Sequence, residues 1–454
     1  RLVIYFCMVL RGEIMGIFSS KGHIHLQGHK EETKHKEALV YQVNAQEKVY
    51  LPLVSPRGTP NTVLVSVGAK VKKGEKVMVR TDFYVPIFAP ISGRVVANEK
   101  RYNSVIGRPT DHLVIESDGL QLEAENKFLS AANLQATRAD IISAIKEAGI
   151  VGLGGAGFPT FIKYETDKPI EYVLINGVEC EPYLTTDYQF MRDYVDKVVQ
   201  GAALLLRAAA ANKGVIAIKV HKEPLPELYQ AALVNYPQIK LVEVPDLYPM
   251  GWEKTLIKQV FKREYENLPA ECGVIVNNAQ TAAAVYDALV NGNPITDKLI
   301  TVAGDGVNNP SNVNVPVGIP LANIVATCGG YVGEEVTLIC GGPMTGKPIA
   351  NDSFVLQSAM GGFTILKPLK HAAQFAECLR CGECTLHCPA NLQPVEIKRA
   401  LDRKDYDALE KLNTMKCVEC GLCSFVCPSK IEISDAVKRA KTMLRFQQGL
   451  KAKK

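Results

Sequence analysis

Near the C-terminus the chain reads Cys378, Cys381, Cys384, Cys388 and then Pro389, and a second run, Cys417, Cys420, Cys423, Cys427 and then Pro428, repeats the spacing. Each copy is C-x-x-C-x-x-C-x-x-x-C-P, and two copies specify a pair of [4Fe–4S] clusters, so the chain moves electrons one at a time. A zinc ion is the ordinary reading of any four cysteines, but the doubled motif argues against it. In two-cluster ferredoxin motifs the fourth cysteine crosses over, which groups Cys378, Cys381, Cys384 with Cys427, and Cys417, Cys420, Cys423 with Cys388. Residues 395–412 and 433–444 carry helical apolar spacing, so the module is expected to be α-helical.

The remaining five cysteines of the 13 are isolated and odd in number, which fits a reducing compartment better than a disulfide scaffold. At 454 residues, with 47% apolar and 22% charged residues, the chain has room for several ordinary globular domains. A net charge of +5 without clustered basic residues gives no reason to expect nucleic acid as a partner. The apolar run 2–10 is shorter than the ~20 residues a membrane span needs, so no transmembrane span is expected. Met15 is expected to begin the functional protein, with residues 1–14 an upstream extension.

Residues 22–38 are polar and rich in His and Lys, and read as a solvated N-terminal arm. From residue 48 to 116 short β-branched runs alternate with turns, through Val63-Leu64-Val65, Val71-Lys72-Lys73-Gly74 and Ala89-Pro90-Ile91-Ser92-Gly93, and imply a small all-β unit. Its phrases look like the barrel sandwich of biotinyl and lipoyl carriers. The modifiable lysine within Met-Lys-Met or Asp-Lys-Ala is missing, so a docking module without a swinging arm is expected. After residue 120 strands alternate with helices, implying a mostly parallel three-layer sheet. The run Gly152-Leu153-Gly154-Gly155-Ala156-Gly157-Phe158-Pro159 suits backbone approach to a phosphate or ring system. Polar residues end two of the strands, at Asn176 and at Asn277-Asn278, where α/β folds place ligands. A helix is expected over 187–211. Residues 299–342 are again β-rich and look like a small β-grasp domain.

Taken in order, the glycine run with Lys163, then Asn176-x-x-Glu179-Cys180-Glu181-Pro182, then Val276-Asn277-Asn278, resemble the flavin domain of the FMN-bearing subunit of respiratory NADH dehydrogenase. With the barrel sandwich in front, the β-grasp unit behind and the paired cysteine runs at the end, the chain is similar to the C subunit of the Rnf (Rsx) ion-translocating electron transport complex. The resemblance implies that Gly152, Gly154, Gly155 and Gly157 line an FMN loop and that Lys163 reaches the flavin or its phosphate. It implies that Asn176, Asn277 and Asn278 hold the isoalloxazine and ribityl groups, that Gly251 lets the backbone approach, and that Phe158, Glu179, Glu181 and Glu253 lie on the nicotinamide side. The bland alternatives are an ordinary core Phe158, a solvated Lys163 and helix-capping glutamates.

The chain departs from the respiratory pattern at Leu153 (Arg there), Val178 (Asp), Gly251-Trp252-Glu253-Lys254 (Gly-Glu-Glu-Thr) and Thr166 (an aromatic). These changes remove polar contacts expected for FMN ribityl and NAD. The loop Ser55-Pro56-Arg57-Gly58-Thr59-Pro60 also differs from the Rnf pattern, which alters a candidate partner surface.

The expected fold is multidomain α/β: an arm (1–38), a β barrel-sandwich, lipoyl-like domain (39–120), a Rossmann-like FMN domain (121–294), a β-grasp, SLBB-type domain (295–362) and a two-cluster ferredoxin-type module (363–454). The expected cofactors are FMN and two [4Fe–4S] clusters, with NAD(H) as substrate and no catalytic side chain, since a flavin converts two-electron hydride into single electrons. The resemblance implies other membrane subunits and a ferredoxin-like subunit as partners, and a peripheral place on the inner face of the cell membrane. Two other readings stand beside it: a soluble relative serving a microcompartment or reductase with another acceptor, and a non-catalytic wiring subunit.

Overall fold

The computed structural model describes residues 24–103, 105–129, 136–368 and 376–451. Met15, residues 1–14 and His23 lie outside the described residues.

The strand β1 (Leu39–Val40) leads into seven more: β2 (Lys48–Pro52), β3 (Thr62–Val63), β4 (Lys70–Val71), β5 (Lys76–Arg80), β6 (Val85–Phe88), β7 (Gly93–Asn103) and β8 (Arg108–Ser117). Strands β2 to β8 make two facing sheets, ordered β2-β8-β7-β4 and β3-β5-β6, the expected barrel sandwich. Alternating apolar residues point between the sheets, as period-two strands require: Val49, Leu51, Val77, Val95, Leu113 and Ile115 are all buried.

The second unit is a parallel sheet of β9 (Tyr172–Asn176), β10 (Lys213–Lys219), β11 (Ile239–Val244) and β12 (Val274–Asn278), ordered β11-β10-β9-β12. Both faces are covered, so its strands are apolar on both sides. Val173, Ile175, Ile216, Ile218 and Ile275 face one layer, which includes the helices Val195–Ala209 and Ala279–Asn291. Leu174, Val215, Ala217, Val274 and Val276 face the other, with Leu256 and Ile257 of the helix Glu253–Phe261. The expected helix over 187–211 is two helices, Thr186–Asp193 and Val195–Ala209, because Tyr194 leaves the helical region at φ −130°, ψ 43°.

The third unit holds β13 (Asp297–Ala303), β14 (Ser311–Pro316), β15 (Thr337–Cys340), β16 (Lys347–Ile349) and β17 (Gly362–Leu366). Its sheet runs β1-β14-β13-β17-β15-β16, so β1 from the N-terminal side completes its edge. The barrel sandwich and this unit share one apolar core: Val49, Leu51, Ile91 and Leu113 belong to the same buried cluster as Ile300, Val313, Ile324 and Phe363.

The fourth unit is helical, as the spacing predicts, around Ile397, Leu401, Leu409, Val437 and Leu444. The stretch 395–412 is broken into Pro394–Asp402 and Tyr406–Lys411. Lys404 takes a left-handed φ of 56° and the Asp405 side chain accepts the Ala408 N–H, starting a new helix.

The N-terminal arm departs most from expectation. From Ile24 onward it is anchored at three points while His25, Glu31, Glu32 and residues 35–37 stay exposed: Ile24 forms an antiparallel bridge with Tyr248, Lys30 is 9% exposed and Thr33 is fully buried. His29 stacks on Tyr183 with ring centroids 4.8 Å apart. The arm is polar because its partners are: Lys30 Nζ donates to the carbonyls of Leu184 and Glu179 and pairs with the Glu179 carboxylate at 3.4 Å.

Candidate functional site

The two cysteine runs fold alike. In each, a non-glycine residue with left-handed φ (Arg380, 54°; Glu419, 60°) and then a glycine (Gly382, 80°; Gly421, 82°) bend the chain between cysteines, and a four-residue helix carries the third cysteine. Backbone N–H groups point at sulfur, from Leu392 to Cys388 and from Glu419 to Cys417, each at 3.3 Å. The Lys441 ammonium donates to the Cys417 carbonyl at 2.7 Å and to Glu419 at 2.5 Å, fixing the second loop.

All eight thiols are free. Cys388, Cys417, Cys420 and Cys423 line one common cavity, which is the crossed set. Burial pushes the Cys423 thiol well above its ordinary range, with Cys420, Cys417, Cys388 and Cys384 adding to it. Cys384, raised by burial, feels Cys381 and Cys427. Four cysteines lining one cavity, two of them accepting a backbone N–H at sulfur, are the donor type a [4Fe–4S] cluster takes. The first run is the more open, with Cys381 exposed and Cys378 half-buried.

The second candidate site lies at the C-terminal edge of β9 and β12, where Asn176 and Asn278 stand in register. Asn176 Nδ2 donates to the Gly251 carbonyl at 2.8 Å, and its Oδ1 accepts the Val178 N–H at 2.9 Å. Half-buried Lys163 donates to the Val276 carbonyl at 2.7 Å; burial lowers its pKa, and Glu253 is the opposing charge. Asn277 donates to the Tyr164 hydroxyl at 2.6 Å while its own Oδ1, buried, has no partner. Asn278 Oδ1 caps the helix Ala279–Asn291 and Nδ2 donates to Asp187.

The glycine loop stands against this edge. Gly154 and Gly155 are exposed, and a Cβ on Gly154 would lie 2.6 Å from Asn278 Nδ2. Gly157 has a left-handed φ of 63°. The Gly152 N–H donates to the Phe158 carbonyl, closing the loop, and Phe158, 38% exposed, meets Phe83 of the barrel sandwich edge-on at 5.6 Å. Arg57 lies over the other end of that contact, 4.3 Å from the Phe83 ring, so the altered loop 55–60 touches the wall of this site. The edge has the open glycines, strand-end amides and orphaned acceptor that a flavin mononucleotide needs.

Not every expected residue joins this edge. The Glu181 carboxylate is taken by the Met344 N–H at 3.2 Å and by the Thr345 hydroxyl of the third unit. Glu179 is held by Lys30, Thr186 and the Asp187 N–H. Glu253 accepts from the Tyr265 hydroxyl at 2.7 Å. Gly251 serves close packing inside the protein, since a Cβ there would lie 2.1 Å from the Val178 carbonyl. The departures from the respiratory pattern become apolar contacts: Leu153 packs with Val85 and Val151, Val178 joins the core under β9, and Trp252 leans on the second cysteine loop.

Sequence reasoning missed Asp187 and Lys298. Asp187 receives Asn278 and Gln280, and burial, with Glu179 adding, raises it to about 6. Lys298, 3% exposed, donates to the carbonyls of Leu153 and Ser358, so it ties the glycine loop to the third unit. Its only signal is a lysine on an apolar strand, and only the topology gives it partners. Burial lowers Lys298 to about 7, opposed by Asp187 and Cys340. Because the unfolded lysine titrates near 10.4, between pH 7 and about 10 the unfolded chain binds a proton that the folded one lacks. Stability therefore gains up to about 1.4 kcal/mol per pH unit from this group as pH rises through that window. Lys298→Met is expected to flatten that slope, read as the difference between the two proteins' urea midpoints at pH 7 and pH 9.5; equal slopes would refute it.

A cavity of about 730 Å³ lined by Lys168, Glu171, Lys213 and Glu271 opens at the opposite, N-terminal edge of the sheet, away from all these groups.

Family models match the whole arrangement in order: an RnfC barrel sandwich hybrid domain over residues 18–120, a Nuo51 FMN-binding domain over 145–287, an SLBB domain over 299–348 and a 4Fe-4S dicluster domain over 377–431. The C subunit of the Na(+)-translocating ferredoxin:NAD(+) oxidoreductase complex of Acetobacterium woodii is 35% identical over 402 residues, covering 87% of this chain and 90% of that one. The C subunit of the proton-translocating complex of Clostridium ljungdahlii is 32% identical over 406 residues, 87% and 88% of the two chains. Among solved structures, an NAD+-reducing [NiFe]-hydrogenase in the air-oxidized state aligns over 73% of this chain and 68% of its own, with a TM-score of 0.50 and 19% identity, a likeness of fold. The chain therefore belongs to the family of C subunits of Rnf, the ion-translocating ferredoxin:NAD(+) oxidoreductase complexes.

Proposed function

We propose that this chain is the electron-input subunit of an Rnf-type complex, an NADH-linked flavin and iron–sulfur oxidoreductase. The glycine loop and the strand-end asparagines of β9 and β12 would hold FMN, which would supply the conversion between two-electron exchange with NAD(H) and single-electron transfer to two [4Fe–4S] clusters held by the eight cysteines. The relatives' names, which tie their complexes to ferredoxin, NAD(+) and ion translocation, support this over a soluble protein with another acceptor. The observation that carries the flavin half is the exposed Gly154-Gly155 loop standing against Asn278 at the C-terminal end of β12.

In this reading Gly152, Gly154, Gly155 and Gly157 cradle the flavin phosphate and ribityl chain by backbone N–H groups. Lys163 offers the cation, and Asn176, Asn277 and Asn278 set the ring's position. Phe158 flanks the nicotinamide side, Glu253 is the charge opposing Lys163, Glu179 holds the arm and Glu181 serves the joint to the third unit. The eight cysteines hold the clusters in the crossed sets. The units divide at 39–120, 121–294, 295–366 and 367–454, the third running past the expected 362 because β17 lies in its sheet. Among the described residues no helix is long and apolar enough to cross a membrane. In this reading the chain sits peripherally on the inner face of the membrane, against membrane subunits and a ferredoxin-like subunit, with exposed Cys381 toward the partner.

Anaerobically prepared protein is expected to hold about eight iron and eight acid-labile sulfides, and to release about one FMN on acid extraction. Titration with NADH, followed optically and by EPR, should bleach the flavin and then reduce the clusters. Absent labile sulfide, no flavin uptake, or a flavin that NADH leaves oxidised would each defeat the corresponding part.

A further inference from the structure

Tyr248 is buried where the flavin unit, the third unit and the second cysteine loop meet, with 2% of its surface exposed. Its backbone N–H and C=O are both taken by Ile24 of the arm, at 2.7 and 3.1 Å. Its hydroxyl donates to the carbonyl of Cys420 at 2.6 Å. The ring packs among Met344, Leu422, Phe425 and Val426, with Cys180 and Trp252 against the same cluster.

The other side of the joint is equally tight. Glu181, just past the end of β9, receives Met344 and Thr345, and the Met344 carbonyl stands 2.6 Å from where a Cβ on Gly421 would lie. The peptide joining Cys420 and Gly421 is thus pinned between Tyr248 and Met344, at the flavin-side end of the sheet.

We infer that Tyr248 is a positioning residue for the cluster held by Cys417, Cys420, Cys423 and Cys388: its hydroxyl holds the Cys420 peptide toward the flavin edge and raises that cluster's reduction potential. The inference rests on the cluster reading above. A donor on a ligand's carbonyl draws negative charge away from the cluster's surroundings. It therefore favours the reduced, more negative form, and hydrogen bonds and exposure are what set such potentials. The other set, which includes exposed Cys381, has no hydrogen bond from Tyr248 among the described residues.

The test is an anaerobic EPR redox titration of the full, cluster-loaded chain carrying Tyr248→Phe. The expected result is a lower midpoint potential and altered g-values for one cluster, the one whose signal Cys417→Ala abolishes, with iron content and the second cluster unchanged. Tyr229→Phe removes another buried hydroxyl, one that donates to the Met191 carbonyl at 3.2 Å, and is expected to move neither potential. Should the Phe variant assemble poorly, 3-fluorotyrosine at position 248, a stronger donor, is expected to raise the same potential. Unchanged potentials in Tyr248→Phe, or equal shifts of both clusters, overturn the inference, as does a fluorotyrosine shift downward. A wild-type chain that binds no iron fails the cluster reading instead, before Tyr248 is tested.

Discussion

Cys388→Ala is expected to lose about half of its roughly eight iron atoms, and the lost cluster should be the one built by the other run. Cys388 lines the same cavity as Cys417, Cys420 and Cys423, which is the observation behind this expectation. Cys427, in turn, is a charge felt by Cys384. EPR of the residual cluster separates the pairings. Under crossed ligation Cys388→Ala and Cys417→Ala leave the same signal, while Cys427→Ala and Cys378→Ala leave the other. If Cys388→Ala instead shares its residual signal with Cys378→Ala, each run closes on itself and the pairing is wrong. Because Cys384, Cys388 and Cys427 also belong to the buried core of this unit, each loss should loosen the whole helical module. Electron delivery beyond the flavin should fall to background in all four variants, since either gap interrupts the chain of carriers.

The second large effect concerns stability. Lys30→Met should cost about 3–5 kcal/mol, the range for removing one partner of a buried ion pair. Burial lowers the Lys30 pKa, with Glu179 opposing, and the two side chains are each only 10% exposed. Without the ammonium, the carboxylate of Glu179 and the carbonyls of Leu184 and Glu179 lose a donor they cannot replace from water. The measurement is the urea midpoint of the flavin unit, followed by limited proteolysis at the arm. Adding Glu179→Gln to Lys30→Met should recover part of the loss, because the uncompensated charge is then gone. A change in Lys30→Met within about 0.5 kcal/mol, the range of ordinary surface substitutions, would mean that the arm is not held by this pair.

Local chemistry is legible in the sequence and distant chemistry is not. The cysteine runs, the glycine loop and the strand-end asparagines announce themselves by spacing, because neighbours in sequence create their geometry. The parallel sheet is legible too, since strands covered on both faces are apolar throughout. Lys30 reads as solvated because its acceptors lie near residues 179 and 184, far along the chain. Glu181 looks like a nicotinamide-side carboxylate until Met344 and Thr345 of another unit are brought against it. The break at Lys404 and Asp405 is hidden inside good helical spacing, where a single capping carboxylate outweighs the periodicity. Leu153 and Val178 look like losses of polar contact, yet each gains an apolar one that only the assembled units provide.

The core that Val49 and Leu113 share with Ile300 and Phe363 rules out one mode of operation for the barrel sandwich. A carrier domain of that shape works by swinging a tethered group between stations, which demands a free hinge and a surface that parts cleanly. Here parting would expose the apolar interior of two units at once. The barrel sandwich and the third unit must therefore move as one piece, and the sandwich serves as a fixed wall beside the glycine loop, where Phe83 meets Phe158.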